Sequence, residues 1–292
     1  MSDDGQGLSS VKPLGDEQIL TDAGFYWRER GSVKVLVCDA LERAGFVNGF
    51  STRVGGVSDF PGNSLNLAGF DEDAVENIEE NRRRFLAAIG ADFQLATVWQ
   101  IHSDQIKHVA HDADVPMSEQ KFDAIVSDLP GILLGVKTAD CVPVLIADKG
   151  TGAFGAVHAG WRGTAQSIVT KAIDKMRDVF GTQPSDLVCA IGPAASCSSY
   201  EIGQDVIDMF RANFDEGEKY LSATREGHAL IDLLAANRDQ LLSKGVPPSD
   251  IYSAPFCTME RTDLFFSYRV EKKVFGKTGR LLSVIGRKVN SE

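Results

Sequence analysis

Histidine is scarce in this chain, and its placement is informative. There are five, His102, His108, His111, His158 and His228. His102 follows Trp99-Gln100-Ile101, and His158 closes Ala153-Phe154-Gly155-Ala156-Val157. Between them, Cys141 stands in Thr138-Ala139-Asp140-Cys141-Val142-Pro143, between two strand candidates. Strand ends can converge on one face of a sheet, and the loops there carry sites. Imidazole nitrogen and thiolate sulfur are preferred zinc ligands, and three protein ligands leave a fourth position open, the catalytic arrangement. Two other readings fit the same residues: a buried cysteine with two satisfied histidines, or a thiol nucleophile, Cys141, with His158 as its base. His108 and His111, among Lys107, Asp112 and Asp114, read as surface residues.

Other polar groups could serve such a centre. Gly160 and Gly163 flank Trp161-Arg162, and a helix is expected from about Thr164. A glycine turn feeding a helix N-terminus offers free N–H groups and a positive dipole end for an anion, which Arg162 would strengthen; an ordinary capped turn has the same sequence. Arg53, beside Gly55 and Gly56 and the hydroxyls of Ser51, Thr52 and Ser58, could hold a phosphate or form a structural salt bridge at a tight turn. Tyr200-Glu201, after the Gly192-Pro193 turn, suits a pocket wall or a capping carboxylate. The run Phe265-Phe266-Ser267-Tyr268-Arg269 reads as core or subunit contact, with Tyr268 and Arg269 as ligand contacts in the alternative.

The elements that must position these residues alternate along the chain. Short β-branched runs predict strands over 33–38, 97–101, 132–136, 142–147, 153–158, 187–191 and 281–285. Pro143 cannot donate to a ladder and belongs at a strand start or an edge. Apolar spacing predicts helices over 74–89, stopped by Gly90; over 165–180, with Thr164 as N-cap and Gly181 past its end; and over 230–243, ending at Gly245. Mixed elements of this kind give a layered α/β or α+β domain. Residues 1–20, rich in Gly, Ser, Asp and Pro, read as a flexible leader before a single domain over 21–292.

Composition narrows the function. The chain has 292 residues, 43% of them hydrophobic and 24% charged, enough to bury a core without staples. Thirty basic against 41 acidic residues give a net charge of −11, which disfavours nucleic acid and membrane surfaces as partners. No stretch approaches the roughly 18 unbroken apolar residues of a spanning helix. Five cysteines without a C-x-x-C pair, and no secretory signal at the N-terminus, point to reduced thiols in the cytoplasm.

Taken in order, Gly49-Phe50-Ser51-Thr52-Arg53-x-Gly55-Gly56-Val57-Ser58, Asn66-Leu67, Asn81-Arg82-Arg83, Gln100-x-His102, Asp123-Ala124, Thr138-Ala139-Asp140-Cys141-x-Pro143, His158-Ala159-Gly160-Trp161-Arg162-Gly163, Ile191-Gly192-Pro193, Tyr200-Glu201 and Phe265 to Arg269 closely resemble the YfiH-like family. That family is also called the laccase-domain or multicopper polyphenol oxidoreductase family, and peptidoglycan editing factor. The resemblance covers about residues 45–287. It implies an α/β layered sandwich with mixed sheets between helices, and a metal site at His102, Cys141 and His158. The implied metal is zinc, with copper claimed under the laccase label.

The implied activity is phosphorolysis of adenosine, inosine, guanosine and methylthioadenosine, together with deamination of adenosine. The partners are then a purine nucleoside and phosphate, in a monomer or homodimer. On this reading Arg53 and Arg162 bind phosphate, and Cys141 with Asp140 or Glu201 makes up the catalytic set, a carboxylate shuttling the proton. The alternatives are a copper-dependent polyphenol oxidoreductase, a peptidoglycan-precursor editing hydrolase with Cys141 as nucleophile, and a non-catalytic metal-stabilised binding protein. Few histidines argue against the first of these. The chain departs from the family pattern at Asn48, where histidine is common, at Ser103, where glycine is usual, and at Val270, which replaces the second Arg of a final pair.

Overall fold

Strand Val33–Cys38 shows how the layers arise. Side chains alternate between the faces of a strand, so Val33, Val35 and Val37 enter one apolar cluster while Leu36 and Cys38 enter another. Strand Val142–Asp148 does the same, with Val142, Val144 and Ile146 on one side and Leu145 and Ala147 on the other. Strands apolar on both faces need a layer on each side, and that requirement produces two sheets stacked between helices. The computed structural model describes residues 15–60, 62–68, 73–90, 93–115 and 119–289.

The first sheet runs in the order Phe25–Arg30, Val33–Cys38, Val47–Ser51, Leu281–Gly286, Ile132–Thr138, Gln94–Thr97. Its pairs are antiparallel except the last, which is parallel. The second runs Ile251–Ser253, Leu187–Ile191, Val142–Asp148, Phe154–Ala159, Ala124–Ser127, Ile106–His108, parallel only at its two outer pairs. A small third sheet pairs Glu201–Gly203, His228–Ile231 and Leu221–Arg225. Helix Val75–Ile89 covers the outer face of the first sheet through Ile89 and Phe85. Helices Ile168–Phe180, Gln204–Asn213 and Leu233–Ser243 cover the second. Between the sheets lies an apolar layer that includes Leu36, Phe50, Leu134, Leu145 and Phe154. The expected α/β layered sandwich is thus the observed architecture.

Several boundaries differ from the expectation, each for a local reason. The strand expected over 97–101 ends at Thr97. Beyond it the Gln100 side chain takes over the pairing, donating to Lys137 O at 2.6 Å and accepting from Lys137 N at 2.7 Å. The helix expected over 165–180 is two helices, Trp161–Ala165 and Ile168–Phe180, broken at Ser167, whose φ of 61° leaves the helical region. The helix expected over 230–243 starts at Leu233, because Asp232 caps it by accepting from Ala235 N at 2.8 Å, while Leu230 belongs to a strand. Within the stretch expected to be a leader, helix Asp16–Ala23 is ordered and buries Leu20. The rest of that expectation, residues 1–14, lies outside the described residues.

Candidate metal centre

Cys141 sits where the chain changes sheets. Strand Ile132–Thr138 belongs to the first sheet and Val142–Asp148 to the second, so Ala139, Asp140 and Cys141 make the crossing. The turn is tight. Asp140 has φ 91°, a left-handed conformation costly to a residue with a Cβ. Its carboxylate holds the turn by accepting from Thr258 Oγ1 at 2.8 Å and from Arg269 N at 2.7 Å. His158 lies near the end of strand Phe154–Ala159, opposite Pro143 in register. His102 enters from the loop after Gln94–Thr97, and its own φ of 60° turns the chain there.

These three residues meet. One ligand atom from each of His102, Cys141 and His158 lies within 4.8 Å of the others, the one such cluster of three among the described residues. Cys141 Sγ is 3.8 Å from His102 Nε2. Tetrahedral zinc, with its usual bond lengths to nitrogen and sulfur, would set such a pair about 3.6 Å apart. Gly160 keeps the space open: a Cβ there would stand 2.8 Å from His102 Cδ2 and 3.2 Å from Cys141 Sγ. Donor chemistry and spacing both fit a tetrahedral metal with one position left for a ligand.

The residue that organises the cluster is Asp123, fully buried. Its Oδ1 accepts from His158 Nδ1 at 2.8 Å and from His102 N at 2.9 Å. Its Oδ2 accepts from Ser103 N at 2.6 Å and Ser103 Oγ at 2.7 Å. One carboxylate therefore fixes the tautomer of one ligand, freeing its Nε2 for metal, and the backbone of the other. Asp123 appears in the sequence only as part of a motif. The available signal was an acid just before a strand, with no local partner to mark it. Ser103 differs from the glycine expected there by adding a donor to Asp123. Asn48 is a buried structural residue that bridges Cys38 N and Cys38 O at 2.9 and 3.0 Å.

Electrostatics follow from this packing. Burial opposes charge on both Cys141 and His158. The positive His158 and hydrogen bonds from both imidazoles outweigh it at the thiol, bringing Cys141 down to about 6. At His158 the Cys141 thiolate and the Asp123 hydrogen bond prevail over burial, raising it to about 9. The packing thus favours thiolate and imidazolium over the neutral pair. Asp140 moves the other way, its carboxyl pushed up by burial.

The cluster forms part of the wall of a cavity of about 740 Å³. Asp140 and Arg162 also line it, as do the rings of Trp99, Trp161, Tyr200 and Tyr268. Basic residues outnumber acidic ones in the lining, with Arg82, Lys137, Arg269 and Arg280 besides Arg162 against Asp140 and Glu119. Arg162 lies over Trp161 at 4.2 Å and, among the described residues, has no carboxylate partner. Arg269 lies over Tyr200 at 4.7 Å and donates to Glu201 O at 2.6 Å. Of the run 265–269, Phe265 and Phe266 are core, while Tyr268 and Arg269 line the cavity, where a ligand contact is possible.

Two expected site residues are elsewhere. Arg53 does not line the cavity. Its guanidinium is 2.9 Å from Glu271, donates to Thr262 O at 2.7 Å and lies over Phe266 at 4.6 Å, the structural salt bridge that glycine and hydroxyl neighbours equally allow. Glu201 also points away. Its carboxylate pairs with Arg225 at 2.9 Å and accepts from Thr224 Oγ1 at 2.9 Å, and the Arg225 bond holds it down at about 2. A carboxylate so paired on the surface is a poor proton carrier. His108 packs half-buried against Phe180, and His111 is exposed.

A family described as "Multi-copper polyphenol oxidoreductase laccase" matches residues 47–288. A relative from Deinococcus radiodurans, named purine nucleoside phosphorylase, is 40% identical over 238 residues, 81% of this chain and 87% of the relative. Purine nucleoside phosphorylase YlmD of Geobacillus stearothermophilus is 35% identical over 262 residues, 87% and 94% of the two chains. The crystal structure of the hypothetical protein YfiH of Bacillus licheniformis superposes with a TM-score of 0.83 at 30% identity, covering 90% of this chain and 99% of that one. On fold, motifs and extent of match, the chain belongs to this laccase-like, YfiH-like family.

Proposed function

We propose that the protein is a zinc-dependent purine nucleoside phosphorylase, accepting adenosine, inosine, guanosine and methylthioadenosine, and that it also deaminates adenosine. The observation that carries the reading is the triad His102, Cys141 and His158 set in the wall of a basic, aromatic cavity. In phosphorolysis a phosphate oxygen bonds to C1′ of the ribose while the C1′–N9 bond breaks. The bonding pair leaves with the purine, which takes up a proton. Arg162 and Arg269 supply positive charge for the phosphate, and Trp99 and Tyr268 supply faces on which a purine can stack. Burial pushes the Tyr200 hydroxyl up to about 12, so it stays a neutral donor for the leaving base. When bound, zinc acts as a Lewis acid and activates water, the chemistry deamination at C6 requires. Of the two carboxylates expected to shuttle a proton, Asp140 alone lines the cavity.

A several-copper oxidase is poorly matched. It would need more imidazole ligands than His102 and His158, and the other three histidines lie outside the cluster. The hydrolase reading has one specific observation in its favour, the line from Cys141 to His158 to Asp123, which resembles an activated thiol. Incubation with adenosine and phosphate, with and without a chelator, separates the two. Adenine with ribose 1-phosphate, and inosine from deamination, all lost on chelation, are expected. Turnover that survives chelation but not thiol alkylation would instead favour the nucleophile.

A further inference from the structure

Helix Tyr268–Phe275 brings Tyr268 and Arg269 to the cavity, and its far end rests on a ring contact, Phe275 edge-on to Phe60 at 5.4 Å. Helices normally dock by an apolar stripe. Here Val274 and Phe275 are 66% and 57% exposed, and the one buried residue of the helix is Glu271. At the buried face of the helix the contacts are polar. Glu271 Oε2 accepts from Ser267 N at 3.1 Å and Thr278 Oγ1 at 2.6 Å. Glu271 Oε1 faces Arg53 Nη2 at 2.9 Å, with both side chains nearly buried. Arg53 also grips the segment leading into the helix. Its backbone N donates to Leu264 O at 2.8 Å, its Nη1 donates to Thr262 O, and its guanidinium covers the Phe266 ring.

We propose that the Arg53–Glu271 pair is a positioning latch for the substrate cavity, holding the helix so that Tyr268 and Arg269 line that cavity together with the triad. Arg53 touches no cavity atom, so it acts through the helix rather than on the ligand. The guanidinium faces one carboxylate, one carbonyl and one ring at once, which an ammonium group cannot do. The consequence for binding rests on the phosphate site proposed above; the mechanical consequence for the helix does not.

The test compares wild type with Arg53→Met, Arg53→Lys and Glu271→Gln, using amide hydrogen exchange of residues 268–275, calorimetric binding of inorganic phosphate, and zinc affinity by chelator competition. The latch predicts exchange over 268–275 about tenfold faster or more, and phosphate binding about tenfold weaker or more. Zinc affinity should stay within about threefold, because no ligand of the triad moves. Arg53→Lys should recover part of each loss. Unchanged exchange over 268–275 would overturn the proposal, as would phosphate and zinc affinity falling together. If Arg53→Met does not fold, Glu271→Gln, nearly isosteric, decides by the same outcomes. If wild type binds no phosphate, the phosphate reading fails alone, and the exchange rates still decide the latch.

Discussion

The two imidazoles of the triad differ in how they are held. His158 is buried and donates its Nδ1–H to Asp123, while His102 is exposed and depends on Asp123 for its backbone. Replacing Asp123 by Asn removes charge from His158 and acceptors from the 101–103 loop. Zinc affinity of Asp123→Asn should fall by roughly 10–100-fold, read by chelator competition. Thiolate character gives a second prediction. In metal-free protein the lowered Cys141 pKa means that alkylation of Cys141, followed by mass spectrometry, should rise through a midpoint near pH 6, and bound zinc should block it. A midpoint near the ordinary thiol value of about 8.5 would show that His158 does not hold a proton beside it. The three residues of the cluster were legible in the sequence because His and Cys are rare and stand beside strand candidates. Asp123 was not, because its value lies in partners that only folding brings near. Arg53 was ambiguous for the same reason, its partner Glu271 being far along the chain.

Regular elements were legible wherever apolar periodicity was clean. Strands such as Val33–Cys38 and Leu187–Ile191 end where expected. Failures gathered at the site, where side chains displace regular pairing. Gln100 replaces a strand bond, and Asp140 and His102 adopt left-handed backbones that no periodicity encodes. The start of helix Trp161–Ala165 is another such place, with Gly160 as its N-cap. Gly160 has φ −70°, so its backbone tolerates alanine, and the restriction is steric. Gly160→Ala should therefore weaken zinc binding about tenfold or more by pushing His102 from Cys141, with the thermal unfolding midpoint of the metal-free protein nearly unchanged. A loss of folding instead would make Gly160 a structural glycine.

Across the chain, charge is segregated. The net charge is −11, yet the cavity wall carries five basic residues against two acidic ones. Opposite charge concentrated in one cleft attracts an anion, and mobile ions screen that attraction. Phosphate KM should thus rise with ionic strength while nucleoside KM changes little; equal dependence of both would place phosphate elsewhere. The layered sandwich and its three apolar clusters do not depend on the triad, so chelation should lower the unfolding midpoint only by lost binding energy, leaving secondary structure intact. That independence lets metal-free protein be prepared folded and titrated with zinc under saturating adenosine and phosphate while ribose 1-phosphate is followed. If His102, Cys141 and His158 hold the working metal, the rate rises linearly to a single equivalent of zinc and then stays flat, and Cys141→Ser shows no rise. A rate indifferent to zinc, or full turnover by Cys141→Ser, would contradict a catalytic metal at this triad.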